Sequence, residues 1–384
     1  MECHQARGLG THGRRYRDKK GIFVEYLKQA ADVSEVSTAE LTKQVIDVLA
    51  DIRENGEAAV RKYSEQFDNW SPESFRVRDE EIAAAASEVS DDFKESVAFA
   101  QEQVRNFAQA QRETLRDLEI ESQPGVVLGH RHIPVGSVGA YVPGGRYTLI
   151  ASSYNSVVPA KVASVERVVV CTPPANGRVP PALLYSAHMA GADEIYALGG
   201  IQAVAAMAYG ALPDLEPVDM LVGPGNKYVV EAKRQLFVQV GIDLLAGPTE
   251  IAILADDTAD PFMVACDLVG QAEHDPNSRA ILITTSSELG KAVLDQIDDH
   301  LCAVSTREVA CQCWENGGEV IVVDDEDELV RVSEGYAIEH VEVMVREPKR
   351  MIERLREYGS LFVGEETTVA YGDKVSGPNH ILPT

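Results

Sequence analysis

Hydrophobic and polar positions change their period near residue 124. From residue 24 to about 118 the apolar residues recur at helical spacing, as at Val45, Val48, Leu49 and Ile52, and Ser37-Thr38-Ala39-Glu40 has the form of a helix start with a capping side chain. This stretch predicts a helical N-terminal region. Beyond Pro124 the texture becomes short β-branched runs that end in Gly or Pro and lead into helix-like segments, as in Arg167-Val168-Val169-Val170-Cys171 ahead of Pro173-Pro174. That alternation predicts βαβ units and a parallel sheet. Further strands are predicted over residues 194–198, 220–222, 251–254, 280–284 and 319–323, with helices over 181–190, 203–209, 228–237 and 261–272.

Two stretches share one layout. A strand at 167–171, prolines, a helix at 181–190 and a strand from Glu194 parallel a strand at 251–254, Asp260-Pro261, a helix at 261–272 and a strand from Ala280. The fold class expected is therefore α/β, with two doubly wound domains facing a common cleft, the place where such sheets bind ligands.

Composition narrows the function classes. The 384 residues and 45% apolar content are enough for two or three domains with real cores. No apolar run reaches the ~20 residues that span a bilayer, and the N-terminus lacks a secretory block, so a cytoplasmic location is expected. A formal charge of -26 leaves no large basic face, which disfavours nucleic acid. Residues 1–22 are the exception: Arg7, Arg14, Arg15, Arg17, Lys19 and Lys20 read as a disordered basic extension. The six cysteines lack a framework spacing, and Cys311-Gln-Cys313 reads as two ordinary thiols.

Candidate chemistry lies in six places. Glycine-rich turns at Val138-Gly139-Ala140-Tyr141-Val142-Pro143-Gly144-Gly145, Leu198-Gly199-Gly200-Ile201-Gln202 and Gly223-Pro224-Gly225-Asn226 follow predicted strands. Bare backbone of this kind lets a phosphate or sugar approach main-chain N–H groups, and three such turns favour a nucleotide cleft over three plain turns. In Gly270-Gln271-Ala272-Glu273-His274 the i, i+3 spacing sets an amide and an imidazole on one helical face, where both could reach one cation; helical histidines are otherwise surface or core residues. Glu339-His340 joins a carboxylate to the side chain best matched to proton transfer near neutral pH, or is a solvated polar pair. Asp373, in the turn-rich Gly372-Asp373-Lys374-Val375-Ser376-Gly377-Pro378-Asn379-His380, could complete a zinc set with Gln271 and His274, and alone is a turn residue.

Taken together, Gly223-Pro224-Gly225-Asn226, Val240-Gly241-Ile242-Asp243 through Ala246-Gly247-Pro248-Thr249-Glu250, Gln271-Ala272-Glu273-His274-Asp275-Pro276, Glu339-His340 and Ser376-Gly377-Pro378-Asn379-His380 resemble histidinol dehydrogenase from about residue 24 onward. The resemblance implies two related, incomplete Rossmann-like domains in a homodimer, using zinc and NAD to take L-histidinol through an aldehyde to L-histidine. It implies boundaries at 23–125 for a helical region contributing to the first α/β domain, 126–244 for an inserted α/β domain, and 245–384 for the remainder of the first domain with the metal and catalytic residues. By resemblance Tyr141, Gln202 and Asn226 contact NAD, Gln271, His274 and Asp373 bind zinc, Glu339 activates water and His340 is the base. Thr249, Gln271, His274, His340 and Asp373 would hold the substrate.

Two departures from the family pattern qualify that expectation. Family members continue into a C-terminal segment that supplies a zinc-binding His and a substrate-binding Glu to the partner subunit, and neither has a counterpart after Leu382-Pro383-Thr384, as in a truncated or inactive relative. In Gly144-Gly145-Arg146-Tyr147, in Glu231-Ala232-Lys233-Arg234-Gln235-Leu236-Phe237 and in Gly270 before Gln271 the sequence looks closer to the branch that oxidises sulfopropanediol to sulfolactate. There Arg146 would meet the sulfonate, or is a surface residue beside a turn.

The acid surplus also predicts a halophilic protein, because salt shortens the reach of self-repulsion to a few ångström. The melting temperature is expected to rise between low and multimolar KCl; a flat or falling profile would remove that reading.

Overall fold

The computed structural model describes residues 14–17, 23–31, 38–144, 149–245, 247, 249–379 and 381. In chain order these form β1 (Arg14–Arg17), β2 (Phe23–Lys28), α1 (Thr38–Asn55), α2 (Glu57–Asp68), α3 (Asp79–Glu88), α4 (Asp91–Thr114), β3 (Leu118–Gln123), β4 (Val126–His130), β5 (Ser137–Tyr141) and α5 (Ile150–Val162). There follow β6 (Arg167–Thr172), α6 (Pro181–Ala190), β7 (Glu194–Ala197), α7 (Gly200–Tyr209), β8 (Met220–Val222), α8 (Lys227–Leu236), β9 (Gly241–Ile242), β10 (Glu250–Ala255) and α9 (Pro261–Ala272). The last elements are β11 (Arg279–Thr284), α10 (Ser287–Ala303), α11 (Arg307–Gly317), β12 (Gly318–Val322), α12 (Glu326–Tyr336), β13 (His340–Met344), α13 (Pro348–Ile352) and β14 (Ser360–Val363).

Two compact units result. One holds residues 35–247 and 370–383, the other 1–34, 248–369 and 384. The first has a five-stranded parallel sheet in the order β7-β6-β5-β8-β9, the second a seven-stranded sheet in the order β1-β2-β12-β11-β10-β13-β14. Without its two antiparallel edge strands the second sheet repeats the winding of the first, with β10 in the place of β5 and β13 in that of β8. The duplication is therefore offset by one strand from the alignment the sequence offers, which paired the run at 167–171 with that at 251–254. The true first strand of the earlier repeat is β5, whose Gly139 and small neighbours carry little β signal. Its five residues are nonetheless all buried.

The remaining differences have local causes. Residues 14–17 form a strand on the edge of β2, and the rest of the expected basic extension lies outside the described residues. Phe23–Lys28 pairs antiparallel with β12, and the helical region thus begins only at Thr38. Helices α1 and α2 bury Val45, Val48, Leu49, Ile52, Val60 and Tyr63 in one core with Ala203, Val204 and Met207 of α7 and Val229 of α8. That shared core ties residues 35–125 to the 126–247 stretch, whereas the sequence grouped 23–125 with 245–384. Ser37 lies outside the described residues.

Two of the helices that position site residues start at a capping side chain. Asp260 accepts from the Phe262 N–H and Pro261 sets the first turn of α9; Asn226 accepts from the Tyr228 and Val229 N–H groups at the head of α8. In the first unit, buried Lys233 donates to the Gly223 carbonyl at 2.9 Å and to Asp243, whose other oxygen takes the Gly223 N–H at 2.8 Å. Burial lowers the Lys233 pKa despite that carboxylate. The clamp fixes Gly223 at φ +106°, where an added Cβ would come within 2.1 Å of the Tyr141 carbonyl oxygen.

Candidate functional sites

The first unit carries a cleft of about 550 Å³ at the carboxyl ends of its strands, where the winding changes direction between β5 and β8. Tyr141 ends β5, Gln202 opens α7 and Asn226 heads α8, and all three line the cleft, as do Asp68, Thr172 and Tyr228. The structure thus gathers the residues expected at NAD. Burial pushes the Tyr141 phenol up to about 12, so it stays a neutral hydroxyl, accepting from the Gly200 N–H at 3.2 Å. Gln202 donates through Nε2 to Asp68 Oδ2 at 2.8 Å. Burial raises the Asp68 pKa, and the Gln202 hydrogen bond opposes the rise. Two acceptor-capable oxygens in the lining, Gln202 Oε1 and Thr172 Oγ1, are buried with no hydrogen-bond partner among the described residues. A ligand bearing hydroxyl and amide donors would satisfy both, which fits a nucleotide. Sequence reasoning missed Asp68 and Thr172, since a single acid at a helix end and a threonine at a strand end carry no spacing signal.

In the second unit Thr249, Gln271, Glu339 and His340 meet. Thr249 stands just before β10 and His340 opens β13, the strand beside it. Helix α9 runs back along the sheet from the end of β10, so its C-terminus returns Gln271 to the amino edge of the strands. Gln271 Nε2 donates to Thr249 Oγ1 at 2.7 Å, and the Thr249 hydroxyl donates to Glu339 Oε2 at 2.7 Å. The Glu250 N–H reaches the same carboxylate oxygen at 3.2 Å. His340 Nδ1 lies 3.0 Å from the Glu250 carbonyl oxygen and 3.3 Å from Glu339 Oε2. A carbonyl only accepts, so Nδ1 carries a proton and donates it to Glu250, which leaves Nε2 as the other ring nitrogen. Gln271, Glu339 and His340 are only 3%, 5% and 3% exposed, so Glu339-His340 is a buried couple and the solvated-pair alternative falls. Just upstream, Ala337 caps α12 at φ +52°, a left-handed conformation that costs a non-glycine residue ~1–2 kcal/mol and turns the chain into Glu339.

The metal candidates are divided. Gln271 commits its nitrogen to Thr249, which leaves Oε1 as its ligand atom; His274 is exposed one turn on. Asp373 belongs to the first unit, in a π-turn at Gly372–Ser376 where Asn155 Nδ2 donates to the Asp373 carbonyl at 3.3 Å and the Tyr154 hydroxyl to that of Lys374 at 3.1 Å. Among the described residues no group of three His, Cys, Asp or Glu side chains could hold a metal. The expected set contains only two residues of those types, with an amide oxygen as the third, and these donors suit zinc in kind. Cys313 donates to the Ser278 carbonyl at 3.1 Å, as an ordinary buried thiol does. Arg146 and His380 lie outside the described residues.

The family described as histidinol dehydrogenase matches residues 31–384. A histidinol dehydrogenase homolog of Shouchella clausii is 53% identical over 364 residues, 94% of this chain and 86% of that protein. The sulfopropanediol 3-dehydrogenase of Ruegeria pomeroyi is 45% identical over 366 residues, 94% of this chain and 84% of that one. The crystal structure of histidinol dehydrogenase from Elizabethkingia anophelis has a TM-score of 0.87 at 32% identity, covering 92% of this chain and 81% of that chain. The chain belongs to the histidinol dehydrogenase family.

Thr249 links the amide to the carboxylate. Thr249→Val, of nearly equal volume, is expected to lower turnover by roughly 10- to 100-fold, the scale of one lost catalytic hydrogen bond, and also to lower the melting temperature, because Gln271 and Glu339 each lose a buried partner. Initial rates of NADH formation with bound zinc measured in parallel check this; an unchanged rate would show that Thr249 does not organise the site.

Proposed function

We propose that this member of the histidinol dehydrogenase family oxidises a primary alcohol to a carboxylate through an aldehyde, with L-histidinol as substrate, two NAD as acceptors and zinc at Gln271, His274 and Asp373. The observation that carries the reading is the hydrogen-bonded set Gln271-Thr249-Glu339 beside His340. When bound, zinc supplies Lewis acidity at the substrate oxygen and NAD the hydride acceptor. Tyr141, Gln202 and Asn226 orient the nucleotide. Gln271 and Thr249 hold the substrate end of the site and keep Glu339 aimed.

His340 Nε2 takes the hydroxyl proton as the first hydride leaves carbon. Glu339 then accepts a proton from the water that adds to the aldehyde, and His340 removes the remaining hydroxyl proton in the second hydride step. The balance is one alcohol, one water and two NAD to one carboxylate, two NADH and three protons. A second reading, oxidation of dihydroxypropanesulfonate to sulfolactate, is favoured by the 45% identity to the sulfopropanediol enzyme, above the 42% and 40% to the histidinol dehydrogenases of Trichormus variabilis and Methanosarcina mazei.

The functional unit is a homodimer in a cytoplasmic setting. The hairpin β3–β4 supports the dimer: every residue of both strands is exposed, with Ile120, Val127 and Leu128 about half uncovered or more, and an isolated two-stranded hairpin is only marginally stable in water. A second copy of the chain would cover it. Among the described residues no helix is long and apolar enough to cross a membrane.

Three measurements test the proposal. With zinc and NAD, L-histidinol and dihydroxypropanesulfonate are assayed side by side; reduction of NAD by neither would overturn it. His340→Asn should slow both oxidations by roughly 100-fold or more, whereas Glu339→Gln should block chiefly the aldehyde step, so the aldehyde accumulates; equal losses at both steps would end the division of roles. Sedimentation at micromolar concentration is expected to show a dimer, and a monomer there would leave the hairpin unexplained.

A further inference from the structure

Behind the buried set in the second unit lies a pair of acids that the proposed chemistry does not use. Asp267 stands one helical turn before Gln271 on α9, and Glu342 stands two residues after His340 on β13, on the same face of the strand. Met344, the next residue on that face, packs with Val264, Ala265 and Leu268 of α9, whereas Val341 and Val343 pack on the opposite side of the sheet. Glu342 is fully buried. Its Oε1 receives the Val369 N–H at 3.3 Å, and Asp267 is hydrogen-bonded by Thr368. The two remaining oxygens, Glu342 Oε2 and Asp267 Oδ2, are buried and receive no donor from any other described group.

Two ionised carboxylates cannot face each other in that position. Ile253 and Phe362 are the residues paired with Glu342 on the neighbouring strands, and among the described residues no lysine or arginine contributes to the electrostatics of either acid. The groups that do face the pair are the Thr368 hydroxyl, the Val369 N–H and the acids themselves. Burial, and then the Asp267 charge, push the Glu342 carboxyl up to about 9; burial also raises Asp267. Among the described residues no donor is left for either oxygen, and one shared proton satisfies both.

We propose that Asp267 and Glu342 are a positioning pair, in which one proton held between Asp267 Oδ2 and Glu342 Oε2 ties α9 to β13 and so sets Gln271 and His274 against Glu339 and His340. The pair touches neither substrate nor cofactor and acts through the residues one turn and two residues away. This inference rests on the catalytic roles given above. In keeping with it, the same pair anchors residues 368 and 369, which lead the chain toward Asp373.

The sign of the pH dependence follows from the raised acid. Below about 4.5, the ordinary carboxyl value, folded and unfolded chains are both protonated and the contribution is complete. As pH rises toward 9 the unfolded chain loses its proton while the folded pair keeps one, so stability falls; above 9 the dependence levels off. Glu342→Gln keeps a donor toward Asp267 and has no proton to lose. Melting temperatures of the zinc-loaded protein, wild type against E342Q, are therefore expected to diverge in favour of E342Q between pH 5.5 and 9 and to run parallel above it. Parallel curves throughout would overturn the proposal. Glu342→Leu removes the tie, and at pH 6 its turnover should lie at least tenfold below that of E342Q while NAD affinity is unchanged. Equal turnover of the two variants would also overturn it. If no alcohol reduces NAD, the assigned activity fails, yet the melting comparison still decides whether the proton is shared.

Discussion

A carboxylate withdrawn almost wholly from water, Glu339, is the group on which the second unit depends. Burying such a charge is costly unless donors replace its hydration, and a hydrogen bond to a charged group contributes roughly 1.5–3 kcal/mol. Here the donors are the Thr249 hydroxyl and the Glu250 N–H, with the His340 ring alongside. Each comes from the β10 or β13 end, and β10 and β13 are adjacent in the sheet only because the chain reverses its winding between them. The local electrostatics and the topology are thus one constraint. A change in register of either strand would strand the charge.

The repeated winding is used in opposite ways. The first unit follows the rule for open parallel sheets, with its cleft outside the carboxyl ends at the switch point. In the second unit the hydrogen-bonded side chains gather at the amino ends, because α9 returns its C-terminal turn there and Thr249, Glu339 and His340 all precede or open their strands. The glycines differ accordingly. Bare turns at Gly199-Gly200 and Gly223 to Gly225 mark the cleft, while the second site is built from side chains that hold one another.

Much of this was legible from the residues. Helices 181–190 and 261–272 begin at proline and end where the apolar period ends, as the pattern predicts. Glu339-His340 and Gln271-x-x-His274 stand out because chemistry-bearing residues lie close in sequence. Strand β5 did not, since glycine and alanine give no β signal and only burial on both faces makes it a strand. Nor could spacing reveal that Thr249 joins Gln271 to Glu339, across 22 and 90 residues, or that Asp267 meets Glu342. Those contacts exist only once α9 has folded back over the sheet.

The uncapped oxygens of Gln202 and Thr172 carry a consequence for the life of the molecule. Without a ligand each is a desolvated acceptor that penalises the closed, native arrangement by about 1–3 kcal/mol. Any occupant that donates to both recovers that penalty in addition to its own contacts, so the balance between native and opened chains moves with the concentration of the occupant.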